Sequence, residues 1–178
     1  MKTLKTLYLV RHGTVHNPNN VVYRRLPGYL LGDQGRREAA QASLFLAAEP
    51  IEVIWHSPLE RAVETAEILN VHHHAPLVVE ERIHEWDAGE SEETVRARMA
   101  DFFEDWRASD YRVSAMVSHR DPIRSLLFHL AGRPPAMDDL DQFPLLQASI
   151  YRVTQSESDA LTIDHVFSPD VLPTVQGL

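Results

Sequence analysis

The chain has 178 residues, an apolar fraction of 44% and a net charge of −9. That size suits one domain spanning 1–178 with a real core, and the acidic balance argues against a general nucleic-acid binder, which needs a basic face. There is no cysteine, which excludes disulfides, zinc–thiolate sites and cysteine nucleophiles. No apolar run approaches the about 20 residues of a membrane span. The basic start Met1-Lys2-Thr3-Leu4-Lys5 runs into a short strand and not into a signal peptide pattern. A soluble cytoplasmic protein without a membrane partner is expected.

Residues 4–10 read as a buried strand. It stops abruptly at Arg11-His12-Gly13, which delivers a cation, an imidazole and a flexible residue to a sheet edge. In open α/β sheets, ligands bind at the carboxyl ends of the strands. Arg11 can fork onto a phosphate or carboxylate, and His12 can act as nucleophile, base or ligand. Alone, such a pair fits a capped turn equally well.

Residues 14–32 form a long loop, with Asn17, Tyr23, Arg24 and Arg25 as polar groups suited to a pocket. Arg24 and Arg25 are expected to be solvated surface arginines. A helix follows over about 34–48, capped by Asp33, with Ala39, Ala40, Ser43, Leu44 and Ala47 as its packing stripe. Residues 51–55 read as a second strand.

Ser57 as N-cap, Pro58 at the first helical position and Glu60 two residues on make a capping box for a helix running to about Leu69. Ala62, Thr65, Ala66 and Leu69 line one side of that helix. Arg61 in its first turn opposes the helix dipole, which an anion held there explains better than stability does. His72-His73-His74 lacks ligand spacing, so an exposed connection is expected and no metal site. Leu77-Val78-Val79 reads as a strand.

Residues 80–90 are crowded with acids. Glu85 beside Trp86 is the best general-acid candidate, because desolvation raises a carboxyl pKa, although spacing does not separate it from Glu80, Glu81, Asp87 and Glu90. Ser91 caps a helix over about 92–108 whose face carries Val95, Met99, Phe102, Phe103 and Trp106. A strand over 112–118 ends in His119-Arg120, and Asp121-Pro122 opens a helix to about 131. A second imidazole thus sits where a strand meets a helix. Residues 136–148 are ambiguous, 149–153 and 161–167 read as two final strands, and a loose tail is expected from Ser168.

Alternating strands and helices predict a three-layer α/β/α sandwich with a mostly parallel central sheet. Neighbouring strand ends then bring Arg11, His12, Arg61 and His119 together around a tetrahedral dianion. Such a pocket, without metal or cysteine, suggests phosphoryl transfer through a phosphohistidine.

Leu9-Val10-Arg11-His12-Gly13 resembles the signature of the histidine phosphatase superfamily, the phosphoglycerate-mutase-like group. Asn17-Pro18, Gly35-Arg36 with Ala39, Ser57-Pro58-Leu59-Glu60-Arg61-Ala62 with Thr65-Ala66, Arg82-Ile83-His84-Glu85 with Gly89, Val117-Ser118-His119 with Ile123-Arg124, and Ala148-Ser149 resemble its later motifs in the right order. The resemblance implies a phosphoglycerate-mutase-like fold and a metal-independent phosphatase with no cofactor, acting on a small phosphorylated substrate. It implies His12 as nucleophile, Arg11 and Arg61 as phosphoryl ligands, His119 as a further hydrogen-bond partner, Glu85 as general acid and base, and Asn17 as a phosphate ligand. Glycine usually follows the second histidine in this family. Here it is Arg120, which either adds a substrate contact or crowds the pocket. His56 stands where a small hydroxyl residue is common. The short chain favours a phosphatase over the alternatives, a phosphoglycerate-type mutase or a catalytically weak phospho-ligand binding module. Oligomeric state is left open by the sequence.

Overall fold

The computed structural model describes residues 4–134 and 141–170. Six strands form one sheet in the order β3-β2-β4-β1-β5-β6. They are β1 (Lys5–Arg11), β2 (Val53–His56), β3 (Leu77–Val79), β4 (Val113–Ser118), β5 (Ile150–Gln155) and β6 (Leu161–Phe167). β1, β4, β2 and β3 pair in parallel, whereas β5 pairs antiparallel with both β1 and β6. Five strands therefore share one direction and β5 alone opposes it. This is the expected mostly parallel α/β sandwich.

The pleat of β1 divides the core. Leu7 and Leu9 face one layer, and Tyr8 and Val10 face the other. On the Leu7 side lie α3 (Glu92–Ala108) and α4 (Arg120–Leu130). On the Tyr8 side lie α1 (Asp33–Leu46) and α2 (Glu60–Leu69). The α3 stripe of Val95, Met99, Phe102, Phe103 and Trp106 is wholly buried, as its helical spacing predicts, and the Ser91 side chain caps the helix by accepting from Thr94 N.

Three local expectations are corrected. α1 has Gly32 as its N-cap, and Asp33 is already helical without a side-chain cap. Its buried face is Gly35, Glu38, Ala39, Ala42, Ser43 and Leu46, so Leu44, Ala40 and Ala47 point outward. The reason is tertiary: Glu38 receives Thr14 N (2.7 Å) and Thr14 Oγ1 (2.9 Å), which turns the helix onto the loop after β1. The Ser57 capping box is absent as well. α2 starts at Glu60 with Leu59 as N-cap, and the Glu60 carboxylate accepts instead from Gly28 N at 2.9 Å.

The chain 168–170 continues beyond β6, and the rest of the expected loose tail lies outside the described residues, as do residues 136–140 of the ambiguous stretch 136–148. The three histidines 72–74 lie at or after a short 3₁₀ turn, exposed or half-buried. Among the described residues no group of His, Asp and Glu is placed to hold a metal ion. No described helix is long and apolar enough to cross a membrane.

Candidate active site

The parallel strands align their carboxyl ends. Arg11 is in register with Ser118, and His56 with Val117. Past those ends the chains stay tied: His12 N donates to Ser118 O (3.0 Å) and Ser57 N to Val117 O (3.0 Å). His12, Ser57 and His119 therefore emerge side by side. The imidazoles of His12 and His119 meet edge to face, with ring centroids 5.1 Å apart.

His12 is buried, and its Nδ1 lies 2.7 Å from the carbonyl of Gly13. A carbonyl accepts only, so the ring proton belongs on Nδ1 and Nε2 is the unprotonated nitrogen. Arg61 Nε points at the Nε2 lone pair from 3.3 Å. Burial holds the His12 pKa well below its usual value, and the charges of Arg11 and Arg61 push it the same way. Gly13 N is anchored by Thr65 Oγ1 (3.2 Å), which itself donates to Arg61 O (2.7 Å). One threonine thus links the β1 loop to the helix that carries Arg61.

Arg61 is completely buried. Its Nη2 donates to Arg24 O (2.6 Å), its guanidinium lies 4.8 Å from the centre of the Tyr23 ring, and its Nη1 is buried without a hydrogen-bond partner among the described residues. Arg11 donates from Nη1 to Leu145 O (2.6 Å), and its Nε is unpartnered in the same sense. Two guanidiniums with unused N–H groups beside a neutral imidazole are suited to a tetrahedral oxyanion.

Glu85 completes the group. Its side chain is only 15% exposed, and Oε2 stands 3.8 Å from His119 Nδ1. Burial lifts its pKa to about 7, the negative charge of Asp121 adds to this, and the Trp86 N–H and the two arginines oppose it. Desolvation is thus the cause that the sequence suggested. His119 is also buried, and its pKa is held well below the usual value by burial first, then by His12 and Arg61. Below about pH 7 the Glu85–His119 approach is therefore a contact of neutral groups.

A cavity of about 290 Å3 opens onto these residues, lined by Arg11, His12, Tyr23, Arg24, Glu85, Trp86, Arg120 and Asp121, with Val21 and Val22 at its edge. Arg120 does reach it, bound to its neighbour Asp121 (Nε to Oδ1, 2.8 Å). Asn17 does not: both ends of its amide are engaged by the backbone of Val21 (2.9 and 3.0 Å), which closes the loop on itself. His56 is buried, with Nδ1 3.0 Å from Ser57 O.

Arg24 and Arg25 are not the solvated residues expected. Arg25 bonds the carbonyl of Glu85 (2.6 Å) and the carboxylate of Glu90 (2.6 Å), which fastens the loop to the acid segment. Arg24 lies over Trp86 and faces the cavity. Neither residue belongs to a periodic element, so hydrophobic pattern carried no signal for them. Ser57, noted as a helix cap and as part of a family motif, and Asp121, noted only for a helix start, were given no site role, yet each faces a site residue.

The fold and this cluster define an α/β protein with a cavity lined by arginine, histidine and acidic residues at the carboxyl ends of its parallel strands. The profile of the histidine phosphatase superfamily (branch 1) matches residues 7–94 and 86–166, and the chain belongs to that superfamily. An uncharacterized protein of Mycobacterium tuberculosis is 43% identical over 67 residues, 38% of this chain and 33% of the relative. A probable phosphatase of Schizosaccharomyces pombe is 46% identical over 67 residues, 36% of this chain and 31% of the relative. The chain thus matches about a third of the length of these curated relatives. Among solved structures, a mycobacterial glucosyl-3-phosphoglycerate phosphatase complexed with VO3 superposes with a TM-score of 0.77 at 21% identity, covering 93% of this chain and 100% of the other, a likeness of fold.

Proposed function

We propose that the chain hydrolyses small phosphate monoesters without a metal, by way of a phosphohistidine on His12. The observation that supports this best is the orientation of His12: Nδ1 is turned to the Gly13 carbonyl and the Nε2 lone pair toward Arg61. Nε2 attacks phosphorus while the bond to the leaving alcohol breaks. Arg11, Arg61 and the His119 Nδ1–H take the charge on the phosphoryl oxygens. Glu85, protonated near neutrality, gives its proton to the leaving oxygen. Its carboxylate then takes a proton from water, which displaces His12 and releases inorganic phosphate.

The test is p-nitrophenyl phosphate hydrolysis near pH 6 with EDTA, for wild type and His12→Ala. EDTA-resistant turnover that vanishes in the variant is expected, together with an acid-labile phosphoenzyme. Turnover that survives in His12→Ala overturns the assignment. Isomerised phosphoglycerate in place of free phosphate assigns a mutase.

A further inference from the structure

Arg24 has three features that the hydrolytic step does not use. Its guanidinium carbon lies 5.2 Å from the centre of the Trp86 ring, beside Glu85. Its Nη1 is buried with no hydrogen-bond partner among the described residues. Its backbone sits at φ +35°, a conformation that non-glycine residues rarely adopt, held there by the Arg61 Nη2 bond to its carbonyl. Residues held in such backbone regions cluster at ligand clamps.

Charge points the same way. Arg11, Arg24 and Arg120 line the cavity, Arg61 adjoins its His12, and Asp121 already pairs with Arg120. Arg25 is engaged by Glu90. With Glu85 protonated, a phosphoryl dianion answers Arg11 and Arg61. Arg24 then remains as a cation with no opposing charge, on the side where the leaving alcohol must meet Glu85. An unpaired, partly desolvated guanidinium is costly unless an anion joins it.

We propose that the preferred substrate is a phosphate monoester whose alcohol carries a second acidic group, a carboxylate or another phosphate, and that Arg24 receives that group across Trp86. This rests on the phosphatase reading above. The cavity of about 290 Å3 confines the alcohol to the size of a sugar or smaller. Val21, Val22 and Tyr23 offer the carbon skeleton its wall.

Two matched pairs test the subsite by phosphate release. 3-Phosphoglycerate and glycerol 3-phosphate differ by a carboxylate against a hydroxymethyl group. Fructose 1,6-bisphosphate and fructose 6-phosphate differ by one phosphate. In wild type, the member with the extra anion in at least one pair is expected to be favoured about tenfold or more in kcat/KM, the size of one charge-assisted contact. The responding pair identifies the group. In Arg24→Gln that ratio is expected to fall to about one, with Arg24→Lys in between. Unfolding midpoints show that the variants are folded.

A ratio unchanged in Arg24→Gln overturns the proposal, as does equal slowing of both members, which makes Arg24 a phosphoryl ligand. Indifference of an active, His12-dependent wild type to the extra anion also overturns it and leaves the phosphatase reading standing. If no ester is cleaved, the phosphatase reading falls, and the subsite is judged by calorimetric binding of the same pairs, equal affinities overturning it.

Discussion

Ser57 Oγ stands 2.7 Å from His119 Nε2, while the other ring nitrogen of His119 faces Glu85. Leu59 N–H already donates to Ser57 Oγ (3.4 Å), so the hydroxyl hydrogen is available to Nε2. With the Ser57 hydroxyl donating to Nε2, neutral His119 carries its proton on Nδ1, on the side of Glu85. In the proposed mechanism Ser57 is a positioning residue that selects the tautomer able to donate to a phosphoryl oxygen. Ser57→Ala is expected to lower kcat about tenfold or more with a smaller change in KM, and to cost about 1–3 kcal/mol of stability through the stranded Nε2. Ser57→Thr restores the hydroxyl and much of the rate. Equal activity of the alanine and threonine variants in steady-state assays overturns the tautomer argument.

In the proposed mechanism Glu85 sets the basic limb of the pH profile and His12 contributes to the acid limb. His12 must be neutral to attack, and burial keeps it so to well below pH 6.5. Glu85 must be protonated to serve the leaving group and loses its proton near pH 7. The kcat/KM profile is therefore expected to fall above about pH 7. Its acid limb follows the second ionisation of the substrate phosphate near pH ~6 together with His12. Glu85→Gln removes the basic limb and lowers the rate by about 10²–10⁴ with a poor leaving group. The loss is smaller with p-nitrophenyl phosphate, whose leaving group needs little protonation. A basic limb that persists in Glu85→Gln assigns it to another group.

The same shift makes a stability statement. A carboxyl whose folded pKa lies above its unfolded value binds its proton more tightly in the native state. Its contribution is whole below the unfolded value near 4.5 and is lost as pH rises through about 7. The loss amounts to about 3 kcal/mol at 1.36 kcal/mol per unit. Glu85→Gln is therefore expected to gain on wild type, in urea midpoint or Tm, between pH 5 and pH 8. A parallel pH dependence of the two proteins contradicts the buried-carboxyl assignment. The depressed histidines act in the opposite sense, losing stability as pH falls, but they are common to both proteins and cancel.

Elements whose burial follows their own periodicity were legible in the sequence. The α3 stripe and the alternating faces of β1 need only the sheet behind them to be correct. Arg11, His12 and His119 were legible because each sits at a junction where the pattern breaks, whereas Glu85 was singled out among neighbouring acids only by its place beside Trp86. α1 was misread because Glu38, a polar residue, is turned inward by Thr14, against the hydrophobic pattern. Ser57 was misread because an N-cap serine and a histidine-orienting serine look alike before a helix. Arg24 was missed because its place depends on Trp86 and Arg61, which are remote in sequence and joined to it only by the folded loop.

Gly13 and Gly35 let two backbones meet behind His12, the proposed nucleophile. A Cβ on Gly13 would run into the Gly35 carbonyl, and a Cβ on Gly35 would overlap the Thr14 carbonyl and lie 2.7 Å from Thr14 N. Neither neighbour is a flexible side chain that can yield. Gly35→Ala is expected to destabilise by about 1–3 kcal/mol and to displace the loop that carries His12, which lowers kcat as well. A Cβ on Gly89 meets nothing within 4 Å, so Gly89→Ala is expected to stay within about 0.5 kcal/mol of wild type. Urea unfolding of both variants checks the contrast, and equal midpoints refute the close-approach argument.

Arg61 separates charge from shape. Its Nε addresses His12, its Nη2 holds the Arg24 carbonyl, and its Nη1 is left for a phosphoryl oxygen. Lysine keeps the positive charge but offers one nitrogen in place of this fork. Arg61→Lys is therefore expected to lose about 10²–10³ in kcat, the range for removing an oxyanion-stabilising donor, with a smaller effect on KM. The loop bearing Tyr23 and Arg24 also loses one of its ties to α2, so limited proteolysis within residues 18–32 is expected to quicken in the variant. Phosphate, added as a product-like ligand, should slow that cleavage in wild type more than in Arg61→Lys. A lysine variant with near-wild-type kcat would show that charge alone suffices there, and that the buried fork serves the fold and not the reaction.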